Sequence, residues 1–334
     1  MSVPFLLAPM AELSHRALRE LIEGFGGCDE YFTEMISAGA LIGGGPFEAY
    51  YIDAGPCPSR VVYQLAGADA GQIAAAAALL DRRDCAGIDL NMGCAAPAIV
   101  RLGAGVRWMA DPDKAAALIA QVRPCTRKRL SVKLRLGMEA DPDYLVKFCR
   151  RLEDEGVDFI TLHPRTAREK FRRTARWDFV GVLRRNLHIP VAGNGDVADA
   201  ADLLRRAAGD CDAVMVGRLA LRAPWIFAQA RTLEAQRMPA REIPAEPTEI
   251  NLEETALRFL ELLARYQPPE FHISRARRFF GYFCDNLIWG NYVKNLLGRE
   301  TALAGMERVL TAYFGEHPEE RLVSGVFAEN SARP

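Results

Sequence analysis

The stretch that decides the fold is GIDLNMGCAAPAIVRLGAGVRWMADPDKAAALIAQV, Gly87–Val122. It opens on a short apolar run, Gly87–Asn91, and breaks at Gly93-Cys94. A loop of small residues follows, and then Asp111–Val122, where Asp-Pro introduces a segment with a periodic apolar face. Asp then Pro is a helix-start signal, because the carboxylate takes up free N–H groups of the first turn and proline needs none there. The next apolar run is LSVKLR, Leu130–Arg135. Strand, loop, helix and strand make one unit of a parallel sheet.

The same alternation extends in both directions. Apolar runs recur at Phe5–Met10, Glu30–Met35, Val61–Gln64, Phe159–His163, Pro190–Asn194 and Ala213–Gly217, with helical patterns at Gly71–Asp81, Asp143–Glu155 and Asp199–Ala207. Eight such units within about 230 residues predict an α/β fold, a closed (β/α)8 TIM barrel rather than a doubly wound sheet. No GxGxxG follows the first strand, as a dinucleotide-binding sheet would require. Gly43–Ser59 reads as a long loop after the second strand, a candidate lid or flap. EAQRMPAREIPAEPTEI (234–250) carries three prolines and reads as a linker. Long amphipathic patterns follow at LEETALRFLELLARY, at SRARRFFGYFCDNLIWGNYVKNLL, which Arg275, Arg277 and Arg278 open, and at ETALAGMERVLTAYF. The expected organisation is a barrel over 1–235, a linker over 236–250, a small C-terminal helical domain over 251–320 and a loose tail over 321–334.

Composition sets limits. The chain has 334 residues, 50% hydrophobic and 25% charged, with net charge -1, so any polyanion-binding surface must be local. Its eight cysteines show no CxxC and no Cys/His cluster at metal spacing, so no metal is expected. They read as reduced thiols of a cytoplasmic protein. No apolar run reaches the roughly 18 residues of a membrane span, and the N-terminus enters an apolar run at once, so no targeting segment is expected.

In a barrel of this kind the chemistry lies at the upper strand ends. These carry Ala8-Pro9-Met10, Glu34, Gln64, Asn91, Lys133 with Arg135, His163 with Arg165, Asn194-Gly195-Asp196, and Gly217-Arg218. Loops after strands 7 and 8 are the usual phosphate site, where glycines let backbone N–H groups approach and arginine adds a charged fork. An inward Lys133 needs an anionic partner. That partner is either Glu34 or a ligand such as the reduced ring of FMN, whose pyrimidine edge Gln64 would also bond. A phosphate site together with an inward lysine favours FMN.

Cys94 lies three residues past Asn91, over the same mouth. A free thiol titrates at about 8.5, so at neutral pH it carries a proton to give. Gly103-Ala104-Gly105 permits either a flexible or a tightly turned cover. Arg165–Trp177 (RTAREKFRRTARW) has six Arg/Lys and one acid beside Phe171 and Trp177, a composition suited to a polyphosphate strand. Arg275, Arg277 and Arg278 would extend that surface.

LLAPM (6–10), TEM (33–35), QLAG (64–67), DLNMGC (89–94), GAG (103–105), VKLRLG (132–137), HPRT (163–166), NGD (194–196) and GRLALRAPWIF (217–227) together resemble the tRNA-dihydrouridine synthase family, in the right order and with the helical C-terminal region in place. The resemblance implies an FMN enzyme that reduces the C5–C6 double bond of a uridine in tRNA, with NADPH as transient hydride donor. It implies that Ala8, Pro9, Met10, Gln64, Lys133, His163, Asn194, Gly195, Asp196, Gly217 and Arg218 hold FMN. Asn91 would position the uracil, and Arg135 and Arg165 would lie near the substrate. Thr166 and Arg168 in the basic loop, and Arg275, Arg277 and Arg278, are expected on the RNA side from the composition of their segments. Cys94 would be the general acid, giving a proton to C5 after hydride reaches C6. The uridine must be turned outward to meet the flavin. A monomer is expected.

The chain departs from the family pattern after the cysteine. Ala95-Ala96-Pro97 replaces an immediate proline, Ala98 and Leu102 stand where lysines are common, and Val106-Arg107-Trp108-Met109 replaces small residues. The RNA target is therefore open: another tRNA position, or another structured RNA. Two other readings remain, a small-molecule FMN oxidoreductase of dihydroorotate dehydrogenase or ene-reductase type, and a non-catalytic RNA-binding factor. The basic loop and helical region weigh against the first, and Cys94 with Lys133 against the second.

Overall fold

A computed structural model describes residues 2–236 and 249–324. Eight parallel strands close into a barrel in chain order: β1 (Phe5–Leu7), β2 (Glu30–Ser37), β3 (Val61–Ala66), β4 (Gly87–Met92), β5 (Arg129–Leu134), β6 (Phe159–Leu162), β7 (Val191–Asn194) and β8 (Ala213–Val216), with β8 pairing back on β1. Every apolar run of the sequence is one of these strands. Met10, Arg135 and His163 lie just past their strand ends rather than in them. Helices Ala70–Asp81, Pro112–Val122 and Pro142–Asp154 start at aspartates (Asp69, Asp111 and Asp141) whose carboxylates accept first-turn N–H groups.

The chain forms two compact units. The barrel unit takes in residues up to His15, Cys28–Ala198 and Asp202–Gly217. Its centre is filled by Leu6, Ala8, Phe32, Val62, Phe159, Ala192, Ala213 and Met215. Strand register sets Gln64 beside Asp89 and Asp89 beside Ser131, and sets Asn91 beside Lys133. Alternation along β4 puts Asp89 and Asn91 on one face and Ile88 and Leu90 on the other. The Gly43–Ser59 segment is folded. It holds a helix at Glu48–Tyr51 and a 3₁₀ turn at Pro58–Arg60. The Tyr63 hydroxyl donates to the Ile52 carbonyl at 2.9 Å, and Arg60 donates to the Cys28 carbonyl at 2.8 Å.

The second unit takes in Arg16–Gly27, Asp199–Ala201 and the chain from Arg218. Helices Leu252–Tyr266, Pro269–Phe283, Gly290–Arg299 and Leu303–Glu316 pack around phenylalanines, with the Phe259 and Phe279 rings stacked at 3.7 Å between centroids. The pattern expected as one helix from Ser274 to Leu297 is two. A 3₁₀ turn at Cys284–Asn286 breaks it, and a side chain at Gly290 would put its Cβ 2.1 Å from the Cys284 carbonyl oxygen. Only glycine allows that approach. The first of the two helices begins at Pro269, so Arg275, Arg277 and Arg278 lie inside it rather than at its start. β9 (Glu249–Asn251) and β10 (Leu322–Ser324) pair antiparallel. Of the expected linker and tail, residues 237–248 and 325–334 lie outside the described residues. No helix among the described residues is long and apolar enough to cross a membrane.

A candidate active site at the barrel strand ends

One carboxylate organises the site. Asp89 is fully buried in mid-β4. Its Oδ1 accepts from the Ser131 hydroxyl at 2.6 Å and its Oδ2 from Gln64 Nε2 at 2.7 Å. An ionised carboxylate only accepts, so Gln64 must turn its NH₂ toward Asp89 and its oxygen away. That oxygen accepts from Asn91 Nδ2 at 2.8 Å. Asn91 Oδ1 is then left to accept from the backbone N–H of Cys94 at 2.9 Å, and of Gly93 at 3.3 Å. The polarity of a row of amides, ending on the backbone of the thiol residue, thus follows from one acceptor. Each amide keeps one N–H unused. Burial pushes the Asp89 carboxyl up to about 6, against the pull of Ser131, Gln64 and Lys133.

Cys94 is half-buried, as are Cys57 and Cys125, whereas Cys28, Cys85, Cys149, Cys211 and Cys284 are buried. Burial raises the Cys149, Cys211 and Cys284 thiols. The Cys94 carbonyl accepts from the Val106 N–H at 3.0 Å, and Gly105 packs beneath it. The loop is therefore the tightly turned of the two options. Val106, Trp108 and Met109 are core residues here, and Trp108 Nε1 donates to the Gly67 carbonyl at 2.9 Å.

Lys133 stands beside Asn91 on β5 and enters no ion pair among the described residues; the pair with Glu34 does not form. Burial pushes its ammonium down to about 8, aided by Arg135 and opposed by Asp89 and Cys94. Cys94 is thus near enough to bear on the Lys133 ammonium.

Around the rest of the mouth, the first loop is held by Ser14. Its hydroxyl donates toward the Ala8 and Met10 carbonyls, each at 3.1 Å, and accepts from the Met10 N–H at 2.5 Å. Pro9 lies between them, half-buried. Asn194 Nδ2 donates to the Met215 carbonyl at 2.7 Å. Gly195 has φ +121°, and a Cβ there would press on the His163 ring at 3.0 Å. Gly217 faces Ala8 and Met10 at ordinary contact distance, and Arg218 precedes the short helix Leu219–Arg222. Arg165 is 3% exposed and forks onto both oxygens of Asp196 at 2.7 and 2.6 Å. It also donates to His163 Nε2 at 3.1 Å and to the Arg173 carbonyl. A guanidinium only donates, so His163 carries its proton on Nδ1. Arg135 donates to the Lys170 carbonyl at 3.0 Å and toward the Thr166 carbonyl at 3.4 Å. Both arginines tie down the basic loop. Thr166 closes a turn with Glu169, and Arg168 is exposed.

The structure thus groups Gln64, Asn91, Cys94, Lys133, Arg135, His163, Arg165 and Asp196. It does not bring Arg275 to a surface. That side chain is 1% exposed, bonded to Gln267 and set over the Phe271 ring at 4.6 Å. Arg277 and Arg278 are exposed on the same helix. Asp89, Ser131 and Ser14 are the residues that sequence reasoning passed over. The signal for Asp89 was a carboxylate inside an apolar run.

A parallel barrel with amides, an unpaired ammonium and a half-exposed thiol gathered at its strand ends has the layout of a barrel enzyme. The comparisons agree. The model of the dihydrouridine synthase family matches residues 6–278. A probable tRNA-dihydrouridine synthase of Rhodobacter capsulatus is 30% identical over 287 residues, covering 84% of this chain and 86% of that protein. The tRNA-dihydrouridine(16) synthase of Ralstonia nicotianae is 30% identical, covering 72% and 76%. A probable tRNA-dihydrouridine synthase of Aquifex aeolicus is 33% identical, covering 66% and 71%. The chain belongs to the dihydrouridine synthase family.

Proposed function

We propose that the protein reduces a uridine of tRNA to 5,6-dihydrouridine, using FMN held in the barrel mouth, NADPH as the source of hydride, and Cys94 as proton donor. The observation that carries the reading is the run of bonds from Asp89 through Gln64 and Asn91 to the Cys94 N–H, with Lys133 alongside. The residues fit the cofactor. The leftover N–H groups of Gln64 and Asn91 suit the carbonyl-rich edges of a flavin and a uracil, and Lys133 offers positive charge that enters no ion pair among the described residues. The backbone of Ala8–Met10, His163, Asn194–Asp196 and Gly217-Arg218 completes the cofactor set in this reading. FMN, when bound, supplies hydride for C6 of the uracil.

The chain's own part is positional and acid–base. Asn91 orients the base. The Cys94 thiol delivers a proton to C5, a service worth roughly 10²–10⁴ in rate. Gly105 and Val106 hold the backbone of Cys94 in place. Arg135 and Arg165 shape the loop that meets RNA through Arg168 and its neighbours, and Arg277 and Arg278 offer further contacts. The test is reconstitution with FMN, NADPH and an unmodified tRNA transcript. Dihydrouridine should form only when all are present. Oxidation of NADPH with orotate or a small enone, and none with tRNA, would overturn the reading in favour of a metabolite enzyme.

A further inference from the structure

Phe171 is 58% exposed at the tip of the loop after β6. Its sequence neighbours Arg168, Lys170, Arg172 and Arg173 are exposed as well, and none of the four enters an ion pair among the described residues. The one acid of the loop, Glu169, is engaged by Arg176 and by the Thr166 N–H. Trp177, the other aromatic, is used internally: it packs on Gly193, donates to the Gly195 carbonyl at 2.9 Å and carries Arg206 over its face at 4.4 Å.

The loop that presents Phe171 is fixed rather than slack. Arg135 bonds the Lys170 carbonyl next to Phe171, and Arg165, clamped by Asp196, bonds the Arg173 carbonyl beyond it. Further ties run from the Ala167 N–H to the Gly137 carbonyl at 2.8 Å and from the Arg176 N–H to the Pro164 carbonyl at 3.0 Å. The Phe171 ring rests against the Arg135 guanidinium at 5.4 Å and the His163 ring at 6.0 Å. Two buried arginines therefore hold an apolar ring in water among four unneutralised cations. A lone exposed apolar ring is ordinary; its setting on a braced loop among four cations is what needs a reason. A strand that alternates flat bases with phosphates fits it, because every base has a π-face and every linkage a negative charge.

We propose that Phe171 is a stacking platform for an unpaired nucleobase of the RNA substrate, with Arg168, Lys170, Arg172 and Arg173 taking the adjoining phosphates. The proposal rests on RNA being the substrate. A purely acidic chain such as polyglutamate would use the charges and leave the ring idle, which makes it the contrasting probe.

Binding of an unmodified tRNA transcript and of polyglutamate to the FMN-loaded, full-length protein, measured by anisotropy over a salt series, separates the two contributions. Phe171→Ala should weaken tRNA binding by about 10- to 100-fold and leave the salt slope and polyglutamate binding as they were. Phe171→Trp should retain wild-type affinity. Arg172→Ala with Arg173→Ala should flatten the slope by about 0.7 to 0.9 for each phosphate no longer neutralised. Phe171→Ala binding tRNA within twofold of wild type, or weakening both polyanions alike, overturns the platform. Wild-type protein that fails to bind tRNA overturns instead the reading on which the platform rests. Phe171 is at the surface, so loss of fold is not expected, and an unchanged flavin absorbance checks it.

Discussion

Gly105 lies so close beneath Cys94 that a Cβ at position 105 would stand 2.4 Å from the Cys94 carbonyl oxygen. This close approach accounts for a loop so poor in side chains. The chain must fold back directly under the thiol residue, with φ +63° at Gly105, a region where L side chains are strained. Gly105→Ala is expected to push the Cys94 backbone out of place and to destabilise the protein by about 1–3 kcal/mol. Turnover on tRNA should fall more than flavin content does. Equal turnover per bound flavin in the variant would show that the close approach does not matter.

The acceptor-only character of Asp89 sets the direction of every amide between it and Cys94. An asparagine at 89 can show Gln64 either an oxygen or an N–H, because the Ser131 hydroxyl can donate or accept. In the second state the row reverses, and Asn91 turns an N–H toward the Cys94 N–H. Asp89→Asn is therefore expected to keep FMN while turnover falls about tenfold, the equivalent of about 1.4 kcal/mol. Ser131→Ala keeps the polarity and should cost far less. Turnover of Asp89→Asn at the wild-type level would contradict the relay.

Stability gives an independent view of Asp89. Its folded-state value of about 6 lies above the ordinary 3.8, so the native state binds the proton more tightly than the unfolded chain. Its contribution is present below pH 4 and is lost as pH rises through 6. Denaturant unfolding of the flavin-free protein should show that loss, and Asp89→Asn should lack it.

Lys133 works in the opposite sense. Burial lowers its ammonium from 10.5 to about 8. The stability linked to this group is present above 10.5 and lost as pH falls through 8. An anionic ligand selects the charged form, so FMN affinity should fall as pH rises from 7 to 9. Lys133→Met should bind FMN weakly at every pH, with no such dependence. Titration of flavin fluorescence reads both, and a wild-type affinity flat over that range would contradict the assignment.

The barrel was legible because each strand is a short apolar run closed by a turn, and Asp-Pro marks the helix start at Asp111. Gln64, Asn91, Lys133 and Cys94 were legible as polar residues at strand ends. The partnership of Asp89 with Ser131 and Gln64 was not, because it depends on the register between β3, β4 and β5, which no local pattern encodes. Arg135 and Arg165 sit where substrate contacts are expected, yet they bond loop carbonyls and Asp196. Sequence position cannot distinguish a guanidinium that meets a ligand from one that braces the loop beside it. The break at Gly290 went unread for a similar reason: the apolar period continues across it, and only the approach to the Cys284 carbonyl demands a glycine.

In the proposed reaction the Cys94 thiol supplies the proton that completes reduction of a uridine. Cys94→Ala and wild type, both loaded with FMN, can be compared in single turnover of the reduced flavin with unmodified tRNA, counting dihydrouridine by mass spectrometry. The variant should hold FMN as wild type does and be reduced by NADPH at the same rate, but form dihydrouridine about 10²- to 10⁴-fold more slowly. Dihydrouridine formed at the wild-type rate by Cys94→Ala would contradict that role.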